Sequence, residues 1–445
     1  MDEFREHPFL LSYQIGCNLA VNAIADAWLV VDGPNCVLFR TTQIQGNHDW
    51  GSDLMRSSGL HRVADTDCTP DRAALGDARI LEDRLQAIDA LDECELILLG
   101  AMAPVAITGR QYDRIVRRLE PPLRTPLVHL ASGSLTGDWL DGYGQTLAAL
   151  ARQLPLTGLR TGDRDAVGVI GYLMDRNEGD HRANLAELAR LVQAAGGRYA
   201  GAWLSGGTRR DLQRAAAAGT LVSLPYGRAA ARELAARTGA RLVECRLPVG
   251  LEGTSRFVRA LAEALGHQRR AEAWLEGQLG DAARKLEWIL PKRLFGKRLV
   301  VIADPHLGAA VTGALTELGC RVPLRIYWST ETHVEPAERS GADPLLVNPQ
   351  AADVLTAMRI MNQEPHPPDL LLTNSQALTL LRKVPGPDVP WVEIGFPSFH
   401  SHALFDAPWL GLTGVLGLVD RVANALARAQ VPVPAADLDS RPEPV

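Results

Sequence analysis

Three cysteines near the start of the chain lie in settings that suggest thiolate chemistry: Cys17, Cys36 and Cys68. Cys36 directly follows an apolar run and a Gly-Pro turn in Val30–Cys36, VVDGPNC. The turn fixes a sharp bend that presents the thiol at the edge of a sheet, where Cys17 and Cys36 could share one iron–sulfur cluster. Free cysteine is also common as a small buried residue. Spacing alone therefore leaves both interpretations open.

Histidines beside other polar side chains offer acid–base chemistry at two further places. The run Gln45–Trp50, QGNHDW, puts His48 next to Asp49, which predicts an oriented acid/base pair. A helix cap would explain the same run equally well. His400 and His402 follow a Gly-Phe-Pro turn, where free imidazoles could bind a metal, contact a substrate or donate a proton. A solvated surface pair is the alternative for these two.

Composition narrows the class of protein that carries these residues. The chain has 445 residues and a formal net charge of −6, so it lacks the basic footprint of a nucleic-acid-binding protein. It has no apolar run near the roughly 20 residues that cross a bilayer. Its first ten residues do not resemble a secretory signal. We therefore expect a cytoplasmic protein, in which six cysteines do not form a disulfide framework.

Continuous apolar runs alternate with amphipathic segments along the chain, a pattern typical of parallel strands covered by helices on both faces. We predict an α/β fold of three doubly wound, Rossmann-like parallel-sheet domains with ligands between the domains, plus a C-terminal helix from about Leu412 to Gln430. The predicted strands are Trp28–Gly33, Cys94–Gly100, Pro126–Ser132, Ala166–Tyr172, Tyr199–Leu204, Thr220–Tyr226, Arg241–Leu247, Arg298–Asp304, Arg321–Tyr327, Pro344–Asn348, Asp369–Ser375 and Pro390–Phe396.

The predicted domains are a cluster-binding domain at 1–160, a second α/β domain at 161–285 and a third at 286–432, with a disordered tail at 433–445. Pro155–Asp165 and the polar stretch Gln268–Lys297 are the predicted joints between them. The sequence contains neither a Walker motif nor a G-x-G-x-x-G turn after the first strand. A site between domains, at the carboxyl ends of the strands, is therefore expected.

A cysteine near the N-terminus followed by a strand ending in Gly-Pro-x-Cys resembles the cluster loops of nitrogenase component 1 and its relatives. Further segments resemble that family in the same order along nearly the whole chain, and the ordered set is more specific than any single member. They are Asp65–Gly76 (DTDCTPDRAALG), Leu130–Tyr143 (LASGSLTGDWLDGY), Leu247–Phe257 (LPVGLEGTSRF) and Ile394–Gly414 (IGFPSFHSHALFDAPWLGLTG).

The resemblance implies that Cys17 and Cys36 bind an iron–sulfur cluster, of the [4Fe–4S] type or larger and similar to a P-cluster. One of the family's three standard thiolates is missing, because Ala103 stands where sulfur is expected. Cys68 is a candidate replacement, with a surface thiol as the alternative, and Ser134 is a weaker candidate.

A second departure concerns the large metallocofactor of nitrogenase. The resemblance leaves open whether this chain binds such a second metallocluster. Leu224 stands where its thiolate ligand would lie, although His402 falls where its histidine ligand would. The motif around Gly395–Pro397 is closer to the β-type subunit. The resemblance thus implies a β-type or divergent subunit rather than a chain that reduces dinitrogen alone.

The function that the resemblance implies is that of a component 1 subunit in a two-component reductase. An ATP-dependent homodimeric iron–sulfur reductase would deliver electrons, and a paired component 1 subunit would complete a homodimer or an α2β2 heterotetramer. The substrate would be a small molecule or a tetrapyrrole, with His48, Asp49, His400 and His402 lining its cavity and supplying protons. The alternatives are a metallocofactor assembly scaffold and a metal-free partner of a catalytic sibling.

Overall fold

The computed structural model describes residues 11–130, 136–156, 162–341, 343–382 and 389–430. Ser134 and the predicted tail lie outside these described residues. Within them, the chain forms three parallel sheets, each flanked by helices, and a final long helix. The predicted α/β class, the three parallel sheets and the C-terminal helix are confirmed.

The first sheet has the strand order β2-β1-β3-β4, and all its pairings are parallel. Its strands are β1 (Ala27–Asp32), β2 (Val63–Asp65), β3 (Leu96–Ala101) and β4 (Leu127–His129). Strand β2 was not predicted, because three residues are too few to show a pattern. The helices of this part are α1 (Tyr13–Asn22), α2 (Cys36–Thr42), α3 (Pro70–Leu75), α4 (Arg79–Asp89), α5 (Ala103–Ala106), α6 (Tyr112–Val116) and α7 (Trp139–Gln153).

The second sheet has the order β6-β5-β7-β8 and is also parallel. Its strands are β5 (Ala166–Ile170), β6 (Arg198–Ala202), β7 (Thr220–Ser223) and β8 (Arg241–Glu244). The helices are α8 (Gly179–Ala194), α9 (Arg209–Ala216), α10 (Arg228–Thr238), α11 (Leu251–Leu265) and α12 (Gln268–Leu286), with a 3-10 helix at Pro225–Gly227. Helix α11 is followed by Gly266, whose φ of +82° gives the left-handed conformation typical of a helix C-cap.

The third sheet has the order β11-β10-β9-β12-β13, again with parallel pairings. Its strands are β9 (Arg298–Ala303), β10 (Arg321–Tyr327), β11 (Leu345–Val347), β12 (Leu370–Thr373) and β13 (Trp391–Glu393). The helices are α13 (Leu290–Arg293), α14 (Pro305–Glu317), α15 (Pro336–Arg339), α16 (Ala351–Gln363), α17 (Ser375–Leu381) and α18 (Gly411–Ala429), with a 3-10 helix at Glu331–His333.

The polar stretch predicted as the second joint, Gln268–Lys297, is largely helical. Helix α12 occupies 19 of its residues, and α13 follows it. The polar composition hid the apolar face of α12, on which Ala271, Leu275, Ala282 and Leu286 are buried at helical spacing. This predicted joint therefore contains an amphipathic helix packed on the molecule.

Helices α1 and α7 pack against each other at unusually close range. A Cβ atom on Gly16 would lie 1.8 Å from the Trp139 carbonyl oxygen, and one on Gly142 would lie 2.0 Å from the Tyr13 carbonyl oxygen. Only glycine at both positions permits this approach, since any side chain would collide with the opposite backbone.

Among the described residues, no helix is long and apolar enough to cross a membrane.

Candidate functional site

Cys36 lies at the carboxyl-terminal edge of the first sheet, where a sharp turn from β1 leads directly into α2. It is exposed, and its Sγ lies 3.9 Å from Met102 Sδ. Met102 directly follows β3, the neighbouring strand, and Gly33 lets the two strand ends approach, because a Cβ there would lie 2.8 Å from Met102 Cβ. Sequence reasoning missed Met102, although its position just after a strand was a usable signal.

Cys68 is at the same edge but beneath the surface. Its backbone N–H donates to the Gly33 carbonyl oxygen at 3.0 Å, and its side chain packs with Ala73 and Val105. Burial raises the pKa of the Cys68 thiol, and the nearby Asp32 carboxylate raises it further. Cys68 is thus a thiol under the Cys36 turn, not the exposed surface thiol considered as its alternative.

Cys17 occupies a different environment from Cys36. It is 2 % exposed within the α1–α7 packing, and its Sγ donates to the Gly142 carbonyl oxygen at 3.8 Å. Burial raises the pKa of this thiol to about 12, so the neutral form is strongly favoured. The expectation that Cys17 binds a cluster does not fit this position, because two closely packed helices enclose the sulfur.

The described thiols therefore do not form one complete ligand set for an iron–sulfur cluster. Such a cluster is usually bound by four thiolates. The first-sheet edge offers the exposed Cys36, with Cys68 and the thioether of Met102 beside its turn. A cluster held entirely by the described part of this chain does not fit, whereas one ligand of a cluster shared with another chain fits Cys36.

Exposed apolar side chains occur in the two segments that carry Cys36 and Met102. Phe39, one turn further along α2, is 67 % exposed, and Ile107, directly after α5, is 69 % exposed. We call Cys36, Phe39, Met102 and Ile107 the edge patch. Large apolar side chains clustered in this way are typical of surfaces that bind another protein.

His48 and Asp49 are both buried, but their side chains have different partners. The Ser398 N–H donates to His48 Nδ1 at 2.8 Å, and His48 Nε2 lies 2.8 Å from the Asp175 carbonyl oxygen. The Asp49 carboxylate accepts from the side-chain amides of Asn22 and Asn177 at 2.8 and 2.7 Å. The expected acid/base pair between His48 and Asp49 is not formed, because each side chain links separate parts of the chain.

His400 and His402 lie in the loop after β13. The His402 ring contacts Trp50 edge-on, and its Nδ1 lies 2.8 Å from a Glu178 carboxylate oxygen. His400 is exposed beside Trp391. Neither histidine lines the cavity between the second and third sheets that is described next.

A small acidic cavity lies between the second and third sheets. We call it the inner cavity; its volume is about 80 Å³, and its polar lining includes Asp175, Arg176, Tyr226, Asp304 and Glu393. Burial raises the pKa of Asp304 to about 6, although bonds from Leu307 N–H and Tyr226 oppose the shift. Typical small-molecule sites measure about 300–1,000 Å³. A second metallocluster does not fit this cavity.

These inner-cavity residues were not predicted as site residues from the sequence. Asp304 directly follows β9, and Asp175 lies a few residues beyond the end of β5. Polar residues at the carboxyl ends of parallel strands commonly face a ligand site, so their positions were an available signal. What the sequence could not give is the size of the space that they enclose.

Comparison with known proteins gives matches over most of the chain. Residues 12–427 match the family model described as nitrogenase component 1 type oxidoreductase. A nitrogenase molybdenum-iron protein beta chain from Methanothermobacter thermautotrophicus is 25 % identical over 402 residues, covering 82 % of this chain and 84 % of that protein. The Frankia alni beta chain is 28 % identical over 189 residues, covering 40 % of this chain and 33 % of that one.

The fold also matches a solved structure. A chain from the structure described as nitrogenase Cp1 at pH 6.5 superposes with a TM-score of 0.79 at 18 % identity. The superposition covers 96 % of this chain and 94 % of the other. At this identity the match establishes the shared fold and nothing finer.

Proposed function

This chain belongs to the nitrogenase component 1 type oxidoreductase family, with β-type relatives, and we propose that it is the β-type subunit of a two-component reductase. In this role it pairs with a second component 1 subunit through the edge patch. An ATP-dependent homodimeric iron–sulfur reductase provides the electrons and hydrolyses the ATP. A cytoplasmic location goes with this proposal.

The exposure of Cys36 within the edge patch is the observation that carries the proposal. The other five cysteines are buried, so Cys36 is the one thiol that a partner chain can reach without rearrangement. Its neighbours Phe39 and Ile107 are exposed apolar side chains that favour contact with another protein. Cys36 therefore supplies one thiolate at the subunit interface, and the paired subunit completes the ligand set.

An iron–sulfur cluster at this interface supplies one-electron relay chemistry when bound. The chain's own part is to present Cys36 at the end of a rigid strand and to exclude water with the apolar residues around it. Cys68 lies beneath the same turn and is the nearest further thiol from this chain. Ser134 stays a weaker candidate.

Substrate reduction belongs to the paired subunit in this proposal. The inner cavity of about 80 Å³ is too small for a large cofactor with a substrate, and Leu224 is buried where a thiolate would be needed. The substrate remains a small molecule or a tetrapyrrole. Proton supply by His400 and His402 stays a prediction, restricted to a substrate or partner at the outer surface.

Iron content of the paired complex tests the cluster assignment. The chain is co-expressed with its component 1 sibling, and iron and acid-labile sulfide are measured after anaerobic purification. We expect Cys36→Ser to lose most of the iron, with Cys17→Ser close to wild type. Cys94→Ser is the matched control, since Cys94 is a buried thiol before β3, at the opposite edge of the sheet. Full iron in Cys36→Ser would contradict the assignment.

Pairing through the edge patch is tested separately. Phe39→Asp and Ile107→Asp place a charge in the proposed interface and should weaken pairing with the sibling at least tenfold. Ile360→Asp is the control, because Ile360 is a comparably exposed apolar side chain on α16. Affinity is measured by pull-down at graded concentrations. Equal loss in all three variants would count against a specific role of the edge patch.

A metal-free structural partner is the second candidate, favoured by the enclosure of Cys17 between α1 and α7. Under that function the wild-type complex forms without iron, and Cys36→Ser pairs as tightly as wild type. Alkylation separates the two candidates further. A Cys36 that binds a cluster is protected from iodoacetamide in the complex and loses protection when iron is chelated.

A further inference from the structure

A larger groove lies between the second and third sheets and shares Leu247 with the inner cavity. We call it the outer groove; its volume is about 630 Å³, and its walls include Cys245, Leu247, Phe257, His306, Gly313 and Val334. Helices α11 and α14 form two of its sides. This volume lies within the range typical of sites for small organic molecules, which is about 300–1,000 Å³.

The charged side chains around the outer groove are already paired with one another or hydrogen-bonded to backbone groups. The partnerships are Arg246 with Glu335, Arg256 with Glu252, Glu244 with Arg232, Glu338 with Arg325, His333 with Asp141, and Glu317 with the N–H groups of Leu251 and Glu252. A charged ligand would have to compete with these partners. The groove thus favours a neutral occupant.

Two polar side chains of the outer groove differ from its charged ones: the Thr312 hydroxyl, which is buried without a hydrogen-bond partner among the described residues, and the His306 imidazole. The His306 ring meets Tyr226 edge-on at 5.0 Å and lies 6.1 Å from the His333 ring, but no hydrogen bond to its nitrogens occurs within the described ranges. Burial lowers the pKa of His306 to about 3, and the nearby His333 contributes. The imidazole is therefore neutral near pH 7, with one nitrogen able to donate and the other able to accept.

Helix α14 leaves room in front of His306. Ala309, Ala310 and Gly313 face the groove, and a Cβ on Gly313 would meet no atom within 4 Å. Glycine inside a helix costs about 0.5–1 kcal/mol relative to alanine, so the open space is obtained at the expense of helix stability. Opposite α14, Phe257 and Leu247 provide buried apolar surface.

We infer that the outer groove binds a neutral, largely apolar small organic molecule that forms a hydrogen bond with His306. Because the charges at the rim are paired, apolar contact is the main source of affinity in this inference. The apolar walls supply the contact area, and the imidazole fixes the ligand's orientation through a carbonyl or hydroxyl group. This site is independent of the edge patch and of any cluster.

Titration with Nile red, a neutral multi-ring dye that carries a carbonyl group, tests the inference on the full chain. Its fluorescence should rise to saturation at one dye per chain. Gly313→Leu fills the open side of the groove and should weaken binding at least tenfold. Gly277→Leu is the matched control, because Gly277 is an exposed helical glycine on α12 with equally open space. Thermal melting of both variants checks that they fold.

His306→Phe keeps the ring volume and removes both nitrogens, so dye affinity should fall several-fold with an intact melting transition. Absence of saturable binding by wild type would overturn the inference. Unchanged affinity in Gly313→Leu would do so as well, because the dye would then occupy another surface. If Gly313→Leu instead changes the mass in solution and leaves dye binding unaffected, the groove is covered by a second copy, which also overturns it.

Discussion

His48 Nδ1 accepts a hydrogen bond from the Ser398 N–H at 2.8 Å, joining residues that are 350 positions apart in the chain. Because Nδ1 accepts this bond, Nε2 carries the proton and donates to the Asp175 carbonyl oxygen at 2.8 Å. The imidazole ring thus bridges the parts of the chain that carry the three sheets. Its two hydrogen bonds connect them.

Replacing His48 by alanine should lower the free energy of unfolding by about 3 kcal/mol, because it leaves a buried N–H and a buried carbonyl oxygen without their partner. His400→Ala removes an exposed imidazole and should change the free energy of unfolding by less than about 0.5 kcal/mol. Urea unfolding followed by circular dichroism measures both. Equal, small effects in the two variants would show that the bridge contributes little.

The contact between His333 and Asp141 predicts a pH-dependent stability. Burial alone would lower the pKa of His333, but its bond to Asp141 and the charges of Asp138 and Asp141 hold it above the usual 6.5. Because the pKa of His333 is raised in the folded state, its contribution to stability is fully present below about pH 6.5. That contribution disappears as the pH rises through the folded-state pKa.

Between about pH 6 and pH 9, wild type should therefore lose about 1 kcal/mol more stability than His333→Gln. His366→Gln, a change at an exposed histidine, should follow the wild-type profile. Urea unfolding at the two pH values is the measurement. Parallel profiles for wild type and His333→Gln would contradict the prediction.

Asp304 predicts a pH effect in a different range. Burial raises its pKa from 3.8 to about 6, so its neutral form is favoured in the folded state. The contribution of Asp304 to the free energy of unfolding is fully present below about pH 3.8. It decreases as the pH rises through about 6. Asp304→Asn keeps the side-chain oxygen that caps α14 and has no ionised form.

Relative to wild type, Asp304→Asn should gain about 2 kcal/mol of stability between about pH 4 and pH 7. Asp92→Asn changes an exposed aspartate and should show no such gain. Unfolding by urea across this range provides the comparison. A constant difference between Asp304→Asn and wild type would mean that Asp304 does not titrate there.

The α1–α7 contact predicts opposite outcomes for two glycines of one helix. Gly142→Ala forces a Cβ to within 2.0 Å of the Tyr13 carbonyl oxygen and should destabilise the protein by about 3 kcal/mol. At Gly144 a Cβ has its nearest neighbour at 3.6 Å, so Gly144→Ala should be neutral or stabilising by up to about 1 kcal/mol. Melting temperatures report both, and a stable Gly142→Ala would refute the close packing.

Several features of this protein were available in the sequence. The continuous apolar runs and the amphipathic segments between them predicted three parallel sheets and the final helix, because local periodicity records which faces of an element are buried. The Gly-Pro turn before Cys36 correctly indicated a thiol at a sheet edge. The ordered motifs carried the resemblance that the comparisons confirmed.

The tertiary structure decided what surrounds each side chain. Cys17 and Cys36 look alike in sequence, but helix α7, more than 120 positions from Cys17, covers one and leaves the other exposed. In the same way, His48 meets Ser398 instead of Asp49, and Met102 meets Cys36. A periodic pattern shows that a face is buried; which distant element buries it depends on how the crossovers bring the elements together, and no local pattern records that.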